Sequence, residues 1–341
     1  MESVGRVPKS TEGIMEDIVN KFWAIGGGKG GVGKSVVTVM LGTALAKLGK
    51  KVVIVDADLG GSNLHTLVGI RYPAYTMVDF LKKNVLSMDE ILLDTPVENM
   101  KIICGADDIL GVANPKHVQK VKIFNHLKNI DADIILIDLG AGASFTTIDF
   151  FLFAPNRIVV LTPQVTSLQN AYGFIKSSLY RALSKEFSKF PEVMDLINRA
   201  GFSTQGEKLD SMAKLHEAVR CVDPEDAEKL MSLLNHFNAN LVVNMMKDSK
   251  EKNISQIVRS VAKNYLGIEI EDFGSIQYDK VLDASINNMA AFLKLDQKSP
   301  SHYNFYDIAL AIIRKQKAAV LADDAPMALP VGEPAILAQT L

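Results

Sequence analysis

The sequence predicts an α/β fold in which a mostly parallel, twisted sheet is covered by helices on both faces. Apolar runs rich in isoleucine and valine recur along the chain, with helical stretches between them. These runs lack strict apolar/polar alternation, as expected for strands that are buried on both faces. Alternating strands and helices favour parallel pairing, because a parallel connection needs a crossover segment. The 341 residues, 48% hydrophobic and 22% charged, suit a soluble globular protein of this class.

The strand and helix patterns follow one another along most of the chain and predict about seven to eight strands. The predicted strands are Phe22–Ile25, Lys51–Asp56, Lys101–Cys104, Asp133–Asp138, Arg157–Thr162, Leu241–Met246 and Ile268–Phe273. The predicted helices are Val36–Leu48, Pro115–Asn129, Ser144–Ala154, Ser167–Phe190, Ser249–Leu266 and Tyr303–Leu321.

One long segment, residues 191–238, interrupts the alternation with two or three polar helical patterns and no strand-like run. We expect it to be a helical insertion in a single domain that spans residues 21–321. Residues 1–20 form an N-terminal extension to this domain. Residues 322–341 turn to alanine, proline and small side chains, which predicts a flexible tail.

A glycine-rich loop after the first predicted strand carries the strongest chemical signal. Residues 26–35 read GGGKGGVGKS and fit G-x-x-x-x-G-K-[ST], with Gly28, Gly33, Lys34 and Ser35 at the fixed positions. Backbone N–H groups wrap a phosphate only where no Cβ stands in the way, and the helix that follows adds free N–H groups and a favourable dipole. We therefore expect a nucleoside triphosphate here, with Lys34 on the β- and γ-phosphates and Ser35 on Mg²⁺. The alternative is a glycine-rich turn that matches by chance.

Lys29 directly follows the first fixed glycine, at a position where the pattern does not require a lysine. A cation that arrives from a second subunit stabilises phosphate charge only in the assembled state, as an arginine finger does. We therefore expect Lys29 to complete the site of a neighbouring copy, so that ATP favours a homodimer and hydrolysis releases it. The alternative is a solvated loop lysine.

Carboxylates end two further predicted strands. Asp138 closes an apolar strand and is followed by the glycine turn of residues 139–142, where a partner for Mg²⁺ is expected. Asp56 and Asp58 lie two residues apart, on one side of the strand end, with Asp58 further out toward the γ-phosphate. Residues 60–63 read GGSN and predict a mobile, hydrogen-bonding segment. The alternatives are a helix cap for Asp138 and solvated turn carboxylates for the pair.

Together these motifs resemble the MinD/ParA family of ATPases. Residues 28–35 resemble its deviant Walker A motif, residues 56–58 with Asn63 its switch I, and residues 138–142 its switch II. The resemblance covers roughly residues 20–295 and looks closest to the FlhG/FleN branch, which regulates flagellar number and placement. It implies a three-layer P-loop NTPase fold and ATP with Mg²⁺ as cofactors.

The resemblance also implies a role for each site residue. Lys29, Lys34 and Asp58 act in catalysis, with Asp58 orienting the attacking water. The implied metal-site residues are Ser35, Asp56 and Asp138. The implied nucleotide-binding residues are Gly28, Lys29, Gly30, Gly31, Val32, Gly33, Lys34, Ser35, Asn63, Pro163, Gln164 and Asn244. Among these, Asn244 meets the adenine, Pro163 and Gln164 border the base or the dimer face, and Asn63 lies at the dimer face.

The function implied is that of a slow ATPase, stimulated by an unidentified activating or cargo protein. Such a switch positions or regulates a cellular structure, for example flagella, the septum or the chromosome. Members of the FlhG/FleN branch usually carry an N-terminal D-Q-A-x-x-L-R element that acts on a GTPase partner. Residues 1–20 contain no such element, so the resemblance does not extend to a flagellar GTPase partner. We expect a cytoplasmic location, because no signal peptide or apolar run of membrane-spanning length is found. Peripheral contact with the membrane or a cell pole stays open.

Two basic stretches bear on membrane and DNA binding. Arg314, Lys315 and Lys317 lie in the last helix, but a membrane-surface helix would need a stronger basic face. Lysines and an arginine between residues 247 and 263 are interleaved with acidic residues. We expect a helix packed on the core in the first stretch and a solvated face in the second. The net charge of −2 gives no overall nucleic-acid signature.

The cysteines separate the main hypothesis from other P-loop proteins. Cys104 and Cys221 lie far apart without C-x-x-C spacing, so we expect two small buried side chains and no iron–sulfur cluster. The alternatives are the ATPase of an iron–sulfur carrier, a biosynthetic ligase, and a binder that holds ATP without hydrolysing it.

Overall fold

The computed structural model describes residues 20–59, 61–105, 115, 117–202, 209–248, 251, 253–286 and 299–323. Its strands are β1 (Phe22–Gly26), β2 (Val52–Asp56), β3 (Leu92–Asp94), β4 (Met100–Ile103), β5 (Ile134–Asp138), β6 (Asn156–Leu161), β7 (Asn240–Met246) and β8 (Glu271–Gln277). They form one sheet in the order β3-β4-β2-β5-β1-β6-β7-β8. Every pair is parallel except β3 with β4. The predicted mostly parallel sheet of seven to eight strands is confirmed.

Helices connect these strands. They are α1 (Lys34–Lys47), α2 (Leu64–Leu67), α3 (Met77–Lys82), α4 (His117–Lys128), α5 (Phe145–Phe153), α6 (Val165–Glu186), α7 (Pro191–Phe202), α8 (Met212–Val222), α9 (Pro224–His236), α10 (Ile254–Val261), α11 (Lys280–Ile286) and α12 (Pro300–Asp323). A 3₁₀ turn spans Asp89–Ile91, and a π-helical turn at Ala262–Leu266 extends α10. No helix in the described ranges is both long and apolar enough to cross a membrane.

The sheet is buried on both faces, which accounts for its unbroken apolar strands. One face packs on α1 and α12 through side chains such as Leu41 and Ile308. The other face packs on α3 to α10 and includes the side chains of Phe150 and Leu179. Successive side chains of a strand point to opposite faces, so Trp23 belongs to the first core and its neighbour Phe22 to the second. The result is a three-layer arrangement.

Strand register brings the predicted carboxylates together. Asp56 at the end of β2 lies opposite Asp138 at the end of β5, and Ile25 of β1 also pairs with Asp138. The glycine-rich loop leaves the end of β1, next to β5 and β6 in the sheet. Parallel pairing therefore places the loop and both carboxylates at one edge, as expected for open α/β sheets.

Several boundaries differ from the predictions. The edge strand β3 was not predicted, because it has only three residues and is half-exposed. β8 begins at Glu271 rather than Ile268, since Ile268 and Ile270 are buried in the core as irregular chain ahead of the strand. The helix predicted from Ser249 begins at Ile254. The short helices α2, α3 and α11 have too few turns to show a 3.6-residue period.

The segment that interrupts the alternation is mainly helical in its described residues, and its role as an insertion stays a prediction. Helices α7, α8 and α9 occupy it, and Val193, Leu215 and Leu230 join the core on the α6 side of the sheet. Residues 1–19 and 324–341 lie outside the described residues, so the bounds of the extension and of the tail stay predictions.

Candidate functional site

The glycine-rich loop is held tightly between two other elements. Gly33 has a positive φ of 86°, and a Cβ there would overlap the Asn244 side chain of β7. A Cβ at Gly28 would overlap the backbone carbonyl of Asn170 in α6. Neither position has space for a side chain, and Gly33 also needs the backbone conformation that glycine adopts most easily. The Gly33 carbonyl accepts a hydrogen bond from the Val37 N–H at 2.9 Å, which begins α1.

Lys34 is buried inside the loop, with 8% of its surface exposed. Burial lowers the pKa of its ammonium group, while the nearby carboxylates of Asp138 and Asp58 raise it. The two carboxylates offset part of the cost of burying this cation. This environment suits a phosphate-binding lysine.

Asp138 is buried, with 2% of its surface exposed. Thr38 Oγ1 donates a hydrogen bond to Asp138 Oδ1 at 3.0 Å, and the Ser35 hydroxyl also bonds this carboxylate. Burial, followed by the negative charge of Asp56, raises the pKa of Asp138 to about 7. The loop hydroxyl and the strand-end carboxylate thus form one hydrogen-bonded unit.

Asp56 organises the segment that follows β2. Its carboxylate accepts hydrogen bonds from Ser62 Oγ at 2.6 Å, Leu64 N at 3.0 Å and Asp58 N at 3.1 Å. Burial raises the pKa of Asp56 despite these three donors. The carboxylate therefore fixes the path of the chain from β2 into α2. Of the predicted mobile segment, Gly60 lies outside the described residues, and Ser62 is held by this bond.

Asp58 lies beyond Asp56, as its position along the strand predicted. Its carboxylate reaches the turn after β5, where a Cβ added to Gly140 would come within 3.0 Å of it. It also raises the pKa of Lys34 by proximity. Asp58 is thus placed between the lysine of the loop and the glycine turn.

The donor set fits Mg²⁺. Ser35, Asp56 and Asp138 supply oxygen atoms, which Mg²⁺ prefers. Burial raises the pKa of both aspartates, and the negative charge of Asp56 adds to the rise at Asp138. A divalent cation beside them would favour their charged forms. No group of three or more His, Cys, Asp or Glu ligands occurs among the residues the structure describes. Mg²⁺ beside a nucleotide needs no such group, because water and phosphate oxygens supply most of its ligands.

The two lysines of the loop have opposite environments. Lys34 is buried, whereas Lys29 is exposed together with Gly30 and Gly31. Because Lys29 faces outward, its charge is available to an approaching molecule rather than to the interior of its own loop. Its predicted role toward a second copy stays a prediction.

The residues predicted at the base and the dimer face lie around the same edge. Asn244 is buried and donates from Nδ2 to the Val32 carbonyl at 2.9 Å, so it supports the loop directly. Gln164 is exposed at the N-cap of α6, next to Pro163. Asn63 is exposed before α2 and donates from Nδ2 to the Gly61 carbonyl at 2.9 Å. Their contacts with adenine or a partner stay predictions.

The sequence analysis missed three residues that help to build this site. Thr38 lies one helical turn after Lys34, so helical spacing is a signal that could have identified it. Ser62 lies within the segment predicted to be mobile, and no sequence pattern indicated that it donates a hydrogen bond to Asp56. Asn170 acts through its backbone carbonyl beside Gly28, which no sequence signal reveals.

The remaining expectations concern cysteines and basic residues. Cys104 is buried as expected, but Cys221 is exposed on α8, so that expectation was wrong for Cys221. The buried residues of α8 are others, such as Leu215 and Val219.

The basic residues of both stretches bond to the protein itself. Lys315 is not displayed on a basic face, because its Nζ donates to Asn238 Oδ1, Asn240 Oδ1 and Glu271 Oε2 at 2.8–2.9 Å. In the stretch between residues 247 and 263, Arg259 Nε donates to the Ile270 carbonyl.

Comparison with protein families gives an independent result. The family described as the CobQ/CobB/MinD/ParA nucleotide binding domain matches residues 23–291. This range contains the loop, both carboxylate motifs and helices α7 to α9. The resemblance inferred from the motifs is confirmed.

Individual relatives match part of this range. The chain is 32% identical to the antiactivator FleN of Pseudomonas aeruginosa over 154 residues, which cover 45% of this chain and 54% of FleN. It is 35% identical to the septum site-determining protein MinD of Helicobacter pylori over 159 residues, which cover 46% of this chain and 59% of that protein. The chain therefore spans little more than half the length of these curated relatives.

Solved structures extend the likeness over most of the chain. MinD of Pyrococcus horikoshii, complexed with Mg-ADP, has a TM-score of 0.58 at 21% identity and covers 88% of this chain and 98% of its own. MinD in the MinC:MinD cell division complex of Aquifex aeolicus also has a TM-score of 0.58, at 22% identity, with coverages of 86% and 96%. At these identities the likeness establishes the fold.

Proposed function

Because the chain belongs to the family of CobQ/CobB/MinD/ParA nucleotide-binding domains, we propose that it is a Mg-ATP-dependent switch that dimerises and hydrolyses ATP slowly. One observation carries the proposal: the loop buries one lysine beside two carboxylates and exposes the other. The buried lysine serves the nucleotide of its own subunit. The exposed lysine serves the nucleotide of a second copy.

Phosphate binding rests on the loop and α1. The glycines at positions 28 and 33 leave the backbone N–H groups uncovered, and the start of α1 adds its free N–H groups. Lys34 contacts the β- and γ-phosphates, and its lowered pKa reflects burial that an anionic ligand offsets. The Ser35 hydroxyl, with support from Asp56 and Asp138, would hold Mg²⁺, which would supply positive charge to the phosphates.

Hydrolysis needs a water in line with the γ-phosphate. Asp58 is the residue we assign to that water, because its carboxylate lies beyond the buried Asp56 and faces the Gly140 turn. Asp56 holds the segment in place through Ser62 and Leu64. Movement of this segment on loss of the γ-phosphate would pass the nucleotide state to the surface of the protein.

The surface around the loop favours a second copy as the partner. Phe145 begins α5 after β5 and Val165 begins α6 after β6, so both lie at the sheet edge from which the loop emerges. They expose 69% and 72% of their surface. Large exposed apolar side chains around an exposed cation are typical of a surface that another protein covers.

The relatives suggest a positioning role. They include a septum site-determining protein and an antiactivator, and one solved relative is a complex with a second cell division protein. We propose that this chain likewise couples its dimer state to a cellular structure through an activating or cargo protein. A cytoplasmic location with peripheral attachment suits that role.

Particle mass measured with Mg-ATP, Mg-ADP and no nucleotide tests the proposal. We expect wild type to dimerise only with ATP. Lys29→Ala should bind ATP and stay monomeric, because the cation that crosses the interface is lost. Asp58→Ala should form a long-lived ATP dimer, because hydrolysis is impaired.

Lys47→Ala serves as the matched control, since Lys47 is an exposed lysine at the far end of α1. It should behave as wild type in all three conditions. A wild-type protein that binds Mg-ATP and remains monomeric would refute the switch and leave a simple nucleotide-binding protein.

A further inference from the structure

A second cavity, of about 480 Å³, lies away from the glycine-rich loop. It opens between α4, α5, α6 and α9 and reaches Arg157 at the start of β6. Arg157, Val159 and Leu161 are every second residue of β6, so their side chains lie on the same face of the sheet. Val159 and Leu161 belong to the core on the α5/α6 face, which places Arg157 on that face. The glycine-rich loop leads into α1 on the opposite face. The cavity is therefore separate from the nucleotide site.

Its walls are mainly apolar. Phe124 stacks on Phe153 with ring centroids 3.6 Å apart, and Phe237 approaches from the end of α9. Leu152 and Leu233 also line this surface. A concave, largely aromatic surface with a few polar groups, in this size range, is typical of small-molecule sites.

The charged groups of the lining are three cations, Lys120, Arg157 and Lys185, and two carboxylates, Asp149 and Glu186. Asp149, 8% exposed, accepts from Lys120 Nζ at 2.7 Å, Lys185 Nζ at 2.8 Å and Arg181 Nε at 3.1 Å. Three cations thus share one carboxylate. Lys120 is itself 8% exposed, so part of this surplus charge is buried. A buried excess of one sign is unfavourable unless a further group of opposite charge compensates it.

Arg157 adds a fourth cation. Its guanidinium donates to the carbonyls of Phe151, Leu152 and Asn238 at 3.0–3.2 Å and lies 5.3 Å from the Phe237 ring centroid. In the part of the chain that the structure describes, no carboxylate is within ion-pair distance of Arg157. Burial alone lowers its pKa, to about 10. Of the cavity lining, only Glu186 adds a second negative charge, and it is exposed.

We propose that this cavity binds a small amphiphilic anion, with a carboxylate or phosphate head on the Lys120, Lys185 and Arg157 cations and an apolar body on the aromatic wall. Charge-assisted hydrogen bonds fix the head, and burial of the body supplies the remaining affinity. A purely structural ion-pair cluster would need neither a surplus of cations nor an open apolar cavity beside it.

Calorimetric titration of the full-length protein tests this with four probes below their micellar concentrations. Decanoate and decyl phosphate carry the head and the body, and their relative affinities identify the preferred head. Acetate carries the head alone, and decyltrimethylammonium carries the same body with the opposite charge. We expect saturable binding of the two decyl anions and none of the other two. Equal binding of decyltrimethylammonium would overturn the proposal.

Variants locate the site. Ala182→Phe fills the cavity from α6 without changing charge, and we expect it to abolish binding of decanoate. Lys185→Met removes a half-exposed cation while Asp149 keeps two partners, and we expect a loss of roughly tenfold or more. Lys189→Met removes an exposed lysine outside the cavity and should bind as wild type.

Melting temperature and ATP affinity, measured on each variant, establish that the fold is intact. Unchanged decanoate binding in both Ala182→Phe and Lys185→Met would place the ligand elsewhere and refute the proposal. If Ala182→Phe does not fold, Lys185→Met against Lys189→Met decides the question. The titrations with decanoate and the other probes do not depend on ATP-driven dimerisation. A wild-type protein that fails to dimerise with ATP would therefore refute the proposed switch and leave the proposed anion site untouched.

Discussion

Two carboxylates of this protein are buried to a similar extent and lie in opposite electrical surroundings. Asp138 and Asp149 expose 2% and 8% of their surface. Asp138 lies beside another buried acid, and its pKa rises to about 7. Asp149 is surrounded by three cations, and its pKa falls well below the ordinary value. Burial penalises both charges, and the neighbours decide the direction of the shift.

This difference indicates what each region lacks. The loop edge has two buried aspartates and one buried lysine, so it is short of positive charge and suits a metal ion. The cavity between α4 and α9 has surplus cations, so it is short of negative charge. Local charge balance thus separates a cation-dependent site from an anion-accepting one within a single domain.

Removing the acid from the cationic cluster should have the largest effect. Asp149→Ala leaves three cations, one of them the buried Lys120, without their shared partner. We expect a loss of about 3–5 kcal/mol in the free energy of unfolding, measured by urea denaturation. Asp195→Ala removes an exposed carboxylate 3.6 Å from Arg199 and should cost under about 1 kcal/mol. Equal losses of unfolding free energy in the two variants would show that Asp149 and its three cations are not electrostatically coupled.

Removing the lysine from the acidic edge should act on ligand binding instead. In Lys34→Ala the phosphates lose a buried cation, and the two aspartates lose their compensating charge. We expect ATP affinity to fall roughly 100-fold, about 2.8 kcal/mol, by calorimetry with Mg-ATP. Lys29→Ala, which alters only the exposed lysine of the same loop, should bind ATP within a few-fold of wild type at concentrations where the protein is monomeric. A similar loss in both variants would contradict the division of roles.

The shape of the loop provides a smaller test. Gly33→Ala places a side chain at a φ of 86° and against Asn244. We expect a loss of about 1–2 kcal/mol in the free energy of unfolding from the backbone alone. Gly30→Ala is the matched control, because the nearest atom to its Cβ is 3.8 Å away and its φ is not positive. If both alanines are tolerated equally, the loop does not have the close packing described here.

Acid titration separates the two carboxylates further. The folded-state pKa of Asp149 lies below its ordinary value of 3.8, so the unfolded chain takes up the proton first as pH falls. The stability that Asp149 supplies is therefore full at neutral pH and is lost below about pH 4, by at most about 1.4 kcal/mol per pH unit. Unfolding free energies between pH 5 and 3 should fall less steeply in Asp149→Asn than in wild type. Parallel slopes in the two proteins would assign acid sensitivity to other groups.

Much of the nucleotide edge could be predicted because its residues are close in sequence or end strands. The loop motif needs only eight consecutive residues, and Asp56 and Asp138 each end a run of apolar residues. Parallel strands end at the same edge, so the two acids had to meet once the sheet was recognised. The bond between Asp56 and Ser62 escaped prediction because a serine near glycines is typical of an ordinary turn.

The cationic cavity could not be predicted in the same way. Four of its charged residues, Lys120, Asp149, Arg157 and Lys185, come from four separate elements and follow no motif. Each one alone reads as an ordinary exposed position of a helix or strand end. Their burial depends on how α4, α5 and α6 pack on the sheet, which local patterns do not encode.

The amino-acid sequence by itself determined the layered α/β architecture, the phosphate-binding loop and the edge at which its acids gather. It did so because backbone geometry, side-chain period and glycine spacing act over a few residues. Only the tertiary structure decided which charges are buried together, which lysine of the loop faces outward and where a second cavity opens. Those properties depend on contacts between distant segments, and a pKa or a cavity exists only once the segments have packed.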